Sequence, residues 1–287
     1  MTASVWSAPF LWWAVLAGTA IALAAGLVGS VTVLRGQVFA GDALSHVAVT
    51  GSLAALAFGV DLRLGLYGGC IGFALLLAVL GGRTGADDTV IGSVFAWVLG
   101  LGALFLSIYA ASGSGSGTGG TAGVSVLFGS LLGLDGAQAA TTAALSLVVV
   151  AVTLALARPL VFCAVDPAVA RARGVPVRAI SAAGFVLLGL VAAVATQAVG
   201  ALLLLGLLAA PAGAARHLVA RPFAAMALSA GIAVACLWAG IAAACTWPAV
   251  PASSATVLAA ALVYAGTAAV AARRAGERHG TGPAVAR

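Results

Sequence analysis

From residue 10 to residue 272 the chain repeats one pattern: runs of about twenty apolar residues, parted by short segments that hold nearly all of its charge. A bilayer core about 30 Å thick takes about 20 residues to cross as a helix. Backbone N–H and C=O groups find no partner in lipid, so such runs must be helical throughout. The pattern therefore specifies an all-α polytopic membrane protein. Candidate crossings fall at residues 10–34, 42–58, 64–80, 89–109, 139–157, 179–196, 200–218, 223–245 and 254–272. The crossing at 200–218 carries Pro211 and is a candidate for a break, so the expected count is eight or nine. Residues 1–9 have no basic segment, so no cleavable signal peptide is expected.

Charge narrows the class. Only 7% of residues are charged, against about 25% in soluble domains. All 13 basic residues are arginine and there is no lysine. A phosphate-binding loop ending in Gly-Lys-Ser/Thr is thus excluded, as is Schiff-base catalysis. The arginines cluster at segment ends, as at a cytoplasmic membrane face, so nucleic-acid binding is not expected. Cys70, Cys163, Cys236 and Cys245 show no paired spacing and read as small packing residues. The expected organisation is one membrane domain over residues 1–272 and a disordered cytoplasmic tail over 273–287. Residues 112–120, rich in Gly and Ser, read as a flexible loop. Residues 124–134 are apolar but too short to cross, and are expected to be re-entrant or interfacial. With the C-terminus inside, nine crossings put the N-terminus outside and eight put it inside.

Two places carry candidate chemistry. Asp42 and His46 lie four residues apart, so on a helix they project from one face. An Asp at the centre of a membrane helix costs roughly 2.5–3.5 kcal/mol, which favours an interior or watery position. Together they make half of a metal site. The competing reading has Asp42 capping a helix and His46 as a satisfied core residue. Between Arg158 and Arg178, Asp166 is placed to cap a short surface helix, with Pro167 in its first turn and Gly174 at its end. Asp88 reads as the cap of the fourth crossing. Asp135 reads as a turn residue, Gln197 as a vestibule or interhelical group, and His217 as an interfacial residue.

Several stretches resemble one family in order. Gly41-Asp-Ala-Leu-Ser-His46 with Gly51 is similar to the signature of the permease subunits of bacterial ATP-binding-cassette importers for zinc, manganese and iron. Asp88-Thr-Val-Ile-Gly92, Leu127-Phe-Gly129, Asp166-Pro167 with Ala170 and Gly174, Val199-Gly-Ala-Leu-Leu203 and Leu208-Ala-Ala-Pro211 resemble further motifs of that family. The resemblance implies a type II importer fold of eight or nine transmembrane helices and a short cytoplasmic coupling helix. It assigns Asp42 and His46 to metal handling. Asp166, Pro167, Ala170 and Gly174 fall in the helix that docks on the ATPase, and Asp88 and Ser45 in gating or helix-capping positions.

The expected function is that of the membrane subunit of an ATP-driven divalent-metal importer in the bacterial inner membrane, working by alternating access. The metal would be substrate, with no cofactor held permanently and no catalysis in this subunit. Partners would be two copies of a cytoplasmic ATPase subunit, an extracytoplasmic metal-binding protein, a second copy of the chain and membrane lipid. Zinc usually takes four ligands, and a two-fold pair would double one carboxylate and one imidazole to that number. The alternatives are an importer subunit for iron chelates or cobalamin, and an ATP-independent secondary transporter. An intramembrane metallohydrolase would need about three ligands and a general base.

Overall fold

A computed structural model of the chain describes residues 9–80, 88–111, 133, 135–198, 200–247 and 250–280. Among these the regular elements are helices: α1 (Pro9–Leu34), α2 (Val38–Ala57), α3 (Leu62–Leu80), α4 (Asp88–Ala111), α5 (Gly136–Ala155), α6 (Ala157–Val165), α7 (Pro167–Ala172), α8 (Val177–Ala198), α9 (Ala201–Leu218), α10 (Pro222–Thr246) and α11 (Ala252–Gly280). Eight of the described helices, α1–α5, α8, α10 and α11, are long and apolar enough to span a membrane. The 18-residue α9 is a further long helix, and Pro211 sits inside it without ending it.

Contacts between helix ends fix the directions. Trp13, early in α1, packs on Gly136 at the start of α5. Tyr67, early in α3, donates to Gln197 Oε1 at the end of α8 (3.5 Å). Arg216, at the end of α9, donates to the Val33 carbonyl at the end of α1 (3.1 Å). Phe39 of α2 and Phe58, just past its end, meet Phe95 and Phe105 of α4 respectively, so those two helices run parallel. Gly240, late in α10, lies against Thr256 near the start of α11. Successive long helices therefore reverse, and nine described helices traverse the bundle. The start of α1 and the end of α11 lie at opposite ends, as the nine-crossing reading requires.

Charge marks the two ends. Of the described arginines, Arg63 stands with Asp61 at one end, and all the others, from Arg35 to Arg278, lie at the other. Cytoplasmic loops carry that excess, so the arginine-rich end is cytoplasmic.

Small residues hold the bundle together. Lipid tails are as apolar as the side chains, so association depends on close packing, and glycine allows it. A Cβ on Gly26 of α1 would fall 2.6 Å from Ala230 Cα of α10, and Gly29 abuts the Leu208 carbonyl of α9. Gly51 of α2 and Gly65 of α3 each press on the other's carbonyl oxygen. Most interior hydroxyls bond within their own helix, as Thr32 does to the Val28 carbonyl (2.9 Å) and Thr256 to that of Ala252 (2.8 Å). An exception ties two helices: Ser229 donates to the Gly26 carbonyl at 2.8 Å. In α1, 78% of the apolar window is buried, against 11% in α4 and in α11, so α1 is central and those two are peripheral.

Three sequence boundaries shift. The second crossing begins at Val38 rather than Asp42, because the turn at Gly36 releases the chain directly into Val38-Phe39-Ala40. The last helix does not stop at 272: no proline intervenes before Pro283, and α11 continues through Arg273 and Arg274 to Gly280. The segment before the surface helix is itself helical, α6, burying Leu160, Val161 and Cys163. The Gly/Ser-rich loop at 112–120, the apolar patch at 124–132, the Leu127-Phe-Gly129 motif and residues 281–287 lie outside the described residues.

Candidate functional site

The sequence of α2 places its functional residues by what it buries around them. Gly36, at φ +69°, lets the chain turn back after α1. The turn is closed by Gly36 N–H to the Val33 carbonyl (3.2 Å) and Gln37 N–H to that of Thr32 (3.0 Å). Gln37 is then the N-cap, without a side-chain capping bond. Asp42 thus lies inside the helix and caps nothing, which removes the bland reading of this acid.

Asp42 and His46 are both half-buried. With Thr50 they form one stripe of α2 at four-residue spacing. Among the described residues no hydrogen bond or ion pair satisfies the Asp42 carboxylate or the His46 imidazole. The imidazole meets only a ring: Phe95 of α4, at 5.3 Å between centroids and tilted by 52°. Phe95 is steadied edge-on by Phe39 at 5.7 Å. One turn further on, Thr50 donates to the Val98 carbonyl (3.2 Å) and fixes α4 beside the stripe. The other faces of α2 are packed. Gly41 contacts Leu188 and Leu208, and the Leu44 carbonyl accepts from Cys70 Sγ at 3.6 Å. Ser45 is fully buried and donates to the Asp42 carbonyl (2.6 Å), so its hydroxyl is engaged away from the stripe. The stripe is therefore the one side of α2 with free polar groups. Among the described residues no three His, Cys, Asp or Glu gather to hold a metal ion. One chain offers two donors here.

At the cytoplasmic end the short α7 is built to hold its shape. The Asp166 carboxylate accepts from the Ala168 and Val169 N–H groups, both at 2.9 Å, and Pro167 opens the helix. Ala170 is fully buried. Gly174, at φ +80°, closes the end: its N–H bonds the Arg171 carbonyl (3.0 Å), and Val175 N–H reaches back to that of Ala170 (3.1 Å). This is the paired arrangement of a Schellman end, which needs glycine at that position. Val165, Val169, Arg171 and Arg173 are left exposed as an apolar and basic face.

The other candidates fall apart from the pair. Asp88 opens α4. Asp135 accepts from Gly136 N–H (2.6 Å) and caps α5. Gln197 takes the interhelical role through Tyr67. His217 is exposed at the end of α9, its ring 5.6 Å from that of Tyr264. Phe95 and Thr50 escape a sequence reading, because nothing in an apolar run marks which ring or hydroxyl will meet the site.

A bundle of membrane-length helices, with a short capped helix exposed at its cytoplasmic end, defines a multi-pass membrane protein. The chain belongs to the ABC 3 transport family, whose model matches residues 7–271. It is thus a permease subunit of an ABC transporter. It is similar to the manganese import system permease protein ScaB of Streptococcus gordonii, at 28% identity over 260 residues, 89% of each chain. The ScaB protein of Streptococcus parasanguinis is 30% identical over 207 residues, 72% of this chain and 71% of that one. Among solved structures, PsaBC from Streptococcus pneumoniae in complex with Fab matches with a TM-score of 0.76 and 25% identity, covering 91% of both chains.

Proposed function

We propose that this chain is the membrane-spanning half of an ATP-driven importer for a divalent metal ion, manganese first, with zinc and iron as ions of related chemistry. The observation that carries the reading is the Asp42 and His46 pair, unpartnered among the described residues on an otherwise packed helix. A carboxylate and an imidazole suit Mn²⁺, Fe²⁺ and Zn²⁺, and no thiolate is present there to favour copper. The manganese named for the ScaB relatives supports the choice among these ions. A second copy of the chain brings two more ligands, enough for a transient site that must also release its ion. Two cytoplasmic ATPase subunits drive the cycle by docking on α7, and an extracytoplasmic binding protein delivers the metal. The metal is substrate and no cofactor stays bound.

The test is metal uptake in cells lacking their own manganese and zinc importers, given this chain with its ATPase and binding protein. Manganese accumulation that stops when the ATPase nucleotide site is disabled is the expected result. Uptake that persists without the ATPase would make the chain a secondary transporter, and no metal uptake at all would remove the metal reading.

The α7 assignment has its own consequence. Asp166→Ala removes two capping bonds at a cost of about 1 kcal/mol to a six-residue helix. Co-purification of the ATPase with the variant is expected to fall several-fold, with the folded yield of the permease unchanged. Full ATPase recovery would place docking elsewhere.

A further inference from the structure

The turn between α1 and α2 buries a charge that the described chain leaves incompletely solvated. Arg35 follows α1, and its side chain reaches in among α1, α5, α6 and α8. Two of its three guanidinium nitrogens, Nε and Nη2, are buried and have no hydrogen-bond partner among the described residues. The third, Nη1, lies close against Gly184 of α8, where a Cβ would stand 2.9 Å from it. Burial lowers the Arg35 pKa from its ordinary value, yet a guanidinium keeps its charge throughout the physiological range.

A second unsatisfied group faces the same place. Thr153 of α5 is fully buried and its Oγ1 also lacks a partner. Among the described residues Thr196 shares this condition, whereas Thr32, Ser146 and Thr256 each donate to a carbonyl one turn back. Arg35 and Thr153 line one cavity, with Thr32, Gln37, Leu160 and Gly184. Its volume is about 10 Å³.

These three facts fit together. A buried polar group without a partner is costly, and a charged one more so. A cavity of roughly 10–15 Å³ with two to four polar partners is what one buried water requires.

We propose that Arg35 and Thr153 share a single buried water, and that this node pins the α1–α2 turn to α5 and α8. The water oxygen accepts from the Arg35 guanidinium, and one of its O–H groups donates to Thr153 Oγ1. Val38 starts α2 three residues after Arg35, so the node sets where Asp42 and His46 stand relative to the rest of the bundle. Leu160, on the far wall, belongs to α6, the arm that carries α7. Arg35 is on this account a positioning residue, linking the coupling arm to the helix of the site. The inference stands on the cavity and does not depend on which substrate is carried.

Two measurements on the full chain in lipid nanodiscs test it. A structure at a resolution that shows waters is expected to hold one density peak between Arg35 and Thr153, and to lose it in Thr153→Val, which keeps the shape and deletes the hydroxyl. No peak in the unaltered chain, or density continuous with a carboxylate from elsewhere, would overturn the proposal. Hydrogen exchange at the amides of Gly36 and Gln37 is the second. Exchange several-fold faster in Thr153→Val, and unchanged in Thr153→Ser, is expected. Equal exchange in all three, or acceleration in the serine variant as well, would show that the hydroxyl does not pin the turn.

Discussion

Asp42→Ala and His46→Ala are each expected to lower manganese uptake at least ten-fold at matched membrane expression, with the fold intact. The separation of the two effects follows from the surroundings of the pair. Neither side chain bonds to another described residue, so removing one orphans no donor or acceptor. Asp42→Ala is expected to change stability by about 0.5 kcal/mol, and His46→Ala, which also gives up the Phe95 ring contact, by about 1 kcal/mol. Transport is different. On the proposed two-fold site each substitution would delete two of four ligands at once, and the ion would then cross without compensation for its lost hydration. Asp42→Asn is informative as a third variant, since it keeps an oxygen donor and removes the charge. Its uptake is expected to fall between those of the alanine variant and the unaltered chain. The readout is accumulation of radiolabelled manganese beside thermal unfolding of the purified permease. Normal uptake in both alanine variants would make the pair structural and move the path elsewhere.

Gly65→Leu is expected to do the opposite, removing the folded protein whatever the ion. The carbonyls of Gly51 and Gly65 face each other's Cα across the α2–α3 crossing with no room for a Cβ on either. Backbone cannot rotate away as a side chain does, so α2 and α3 must separate. Overpacking typically costs 1–3 kcal/mol, and separating two helices over their length costs more, against a total stability of about 5–15 kcal/mol. Folded yield in size-exclusion chromatography is expected to drop by more than half, and Gly51→Leu to match it. Gly68→Ala is the control: on the same helix, its Cβ meets nothing within 4 Å. That variant should be as stable as the parent or slightly more so, since alanine suits a helix better by about 0.5–1 kcal/mol. A folded, active Gly65→Leu permease would mean that α2 and α3 cross with room for a side chain between them.

The parts of this architecture that were legible are those written in single residues. Asp166, Pro167 and Gly174 specify the ends of α7 by their own chemistry, so its limits could be read directly. The crossings were legible because twenty apolar residues admit one backbone solution in lipid. Pairings between helices were not. α1 and α2 are apolar on nearly every face, and such a pattern does not say which face meets which neighbour. The Gly51–Gly65 contact and the Phe95 ring over His46 join residues far apart in sequence, with no local mark on either. Asp42 was misplaced as a possible cap for a related reason. The start of α2 is set by the Gly36 turn, and the residues between are too apolar to show a boundary. Gly51 illustrates the gain: a motif residue in the sequence becomes, in the fold, the point where α2 and α3 touch.

α4 is held to the bundle mainly by one neighbour. This helix leans chiefly on α2, through Phe95, Val98 and Gly102 against Phe39, His46 and Thr50, and most of its surface faces away from the bundle. When α2 shifts, α4 rides with it as a passenger. On that geometry the Phe95 ring is expected to stay against the His46 imidazole as the two helices move together.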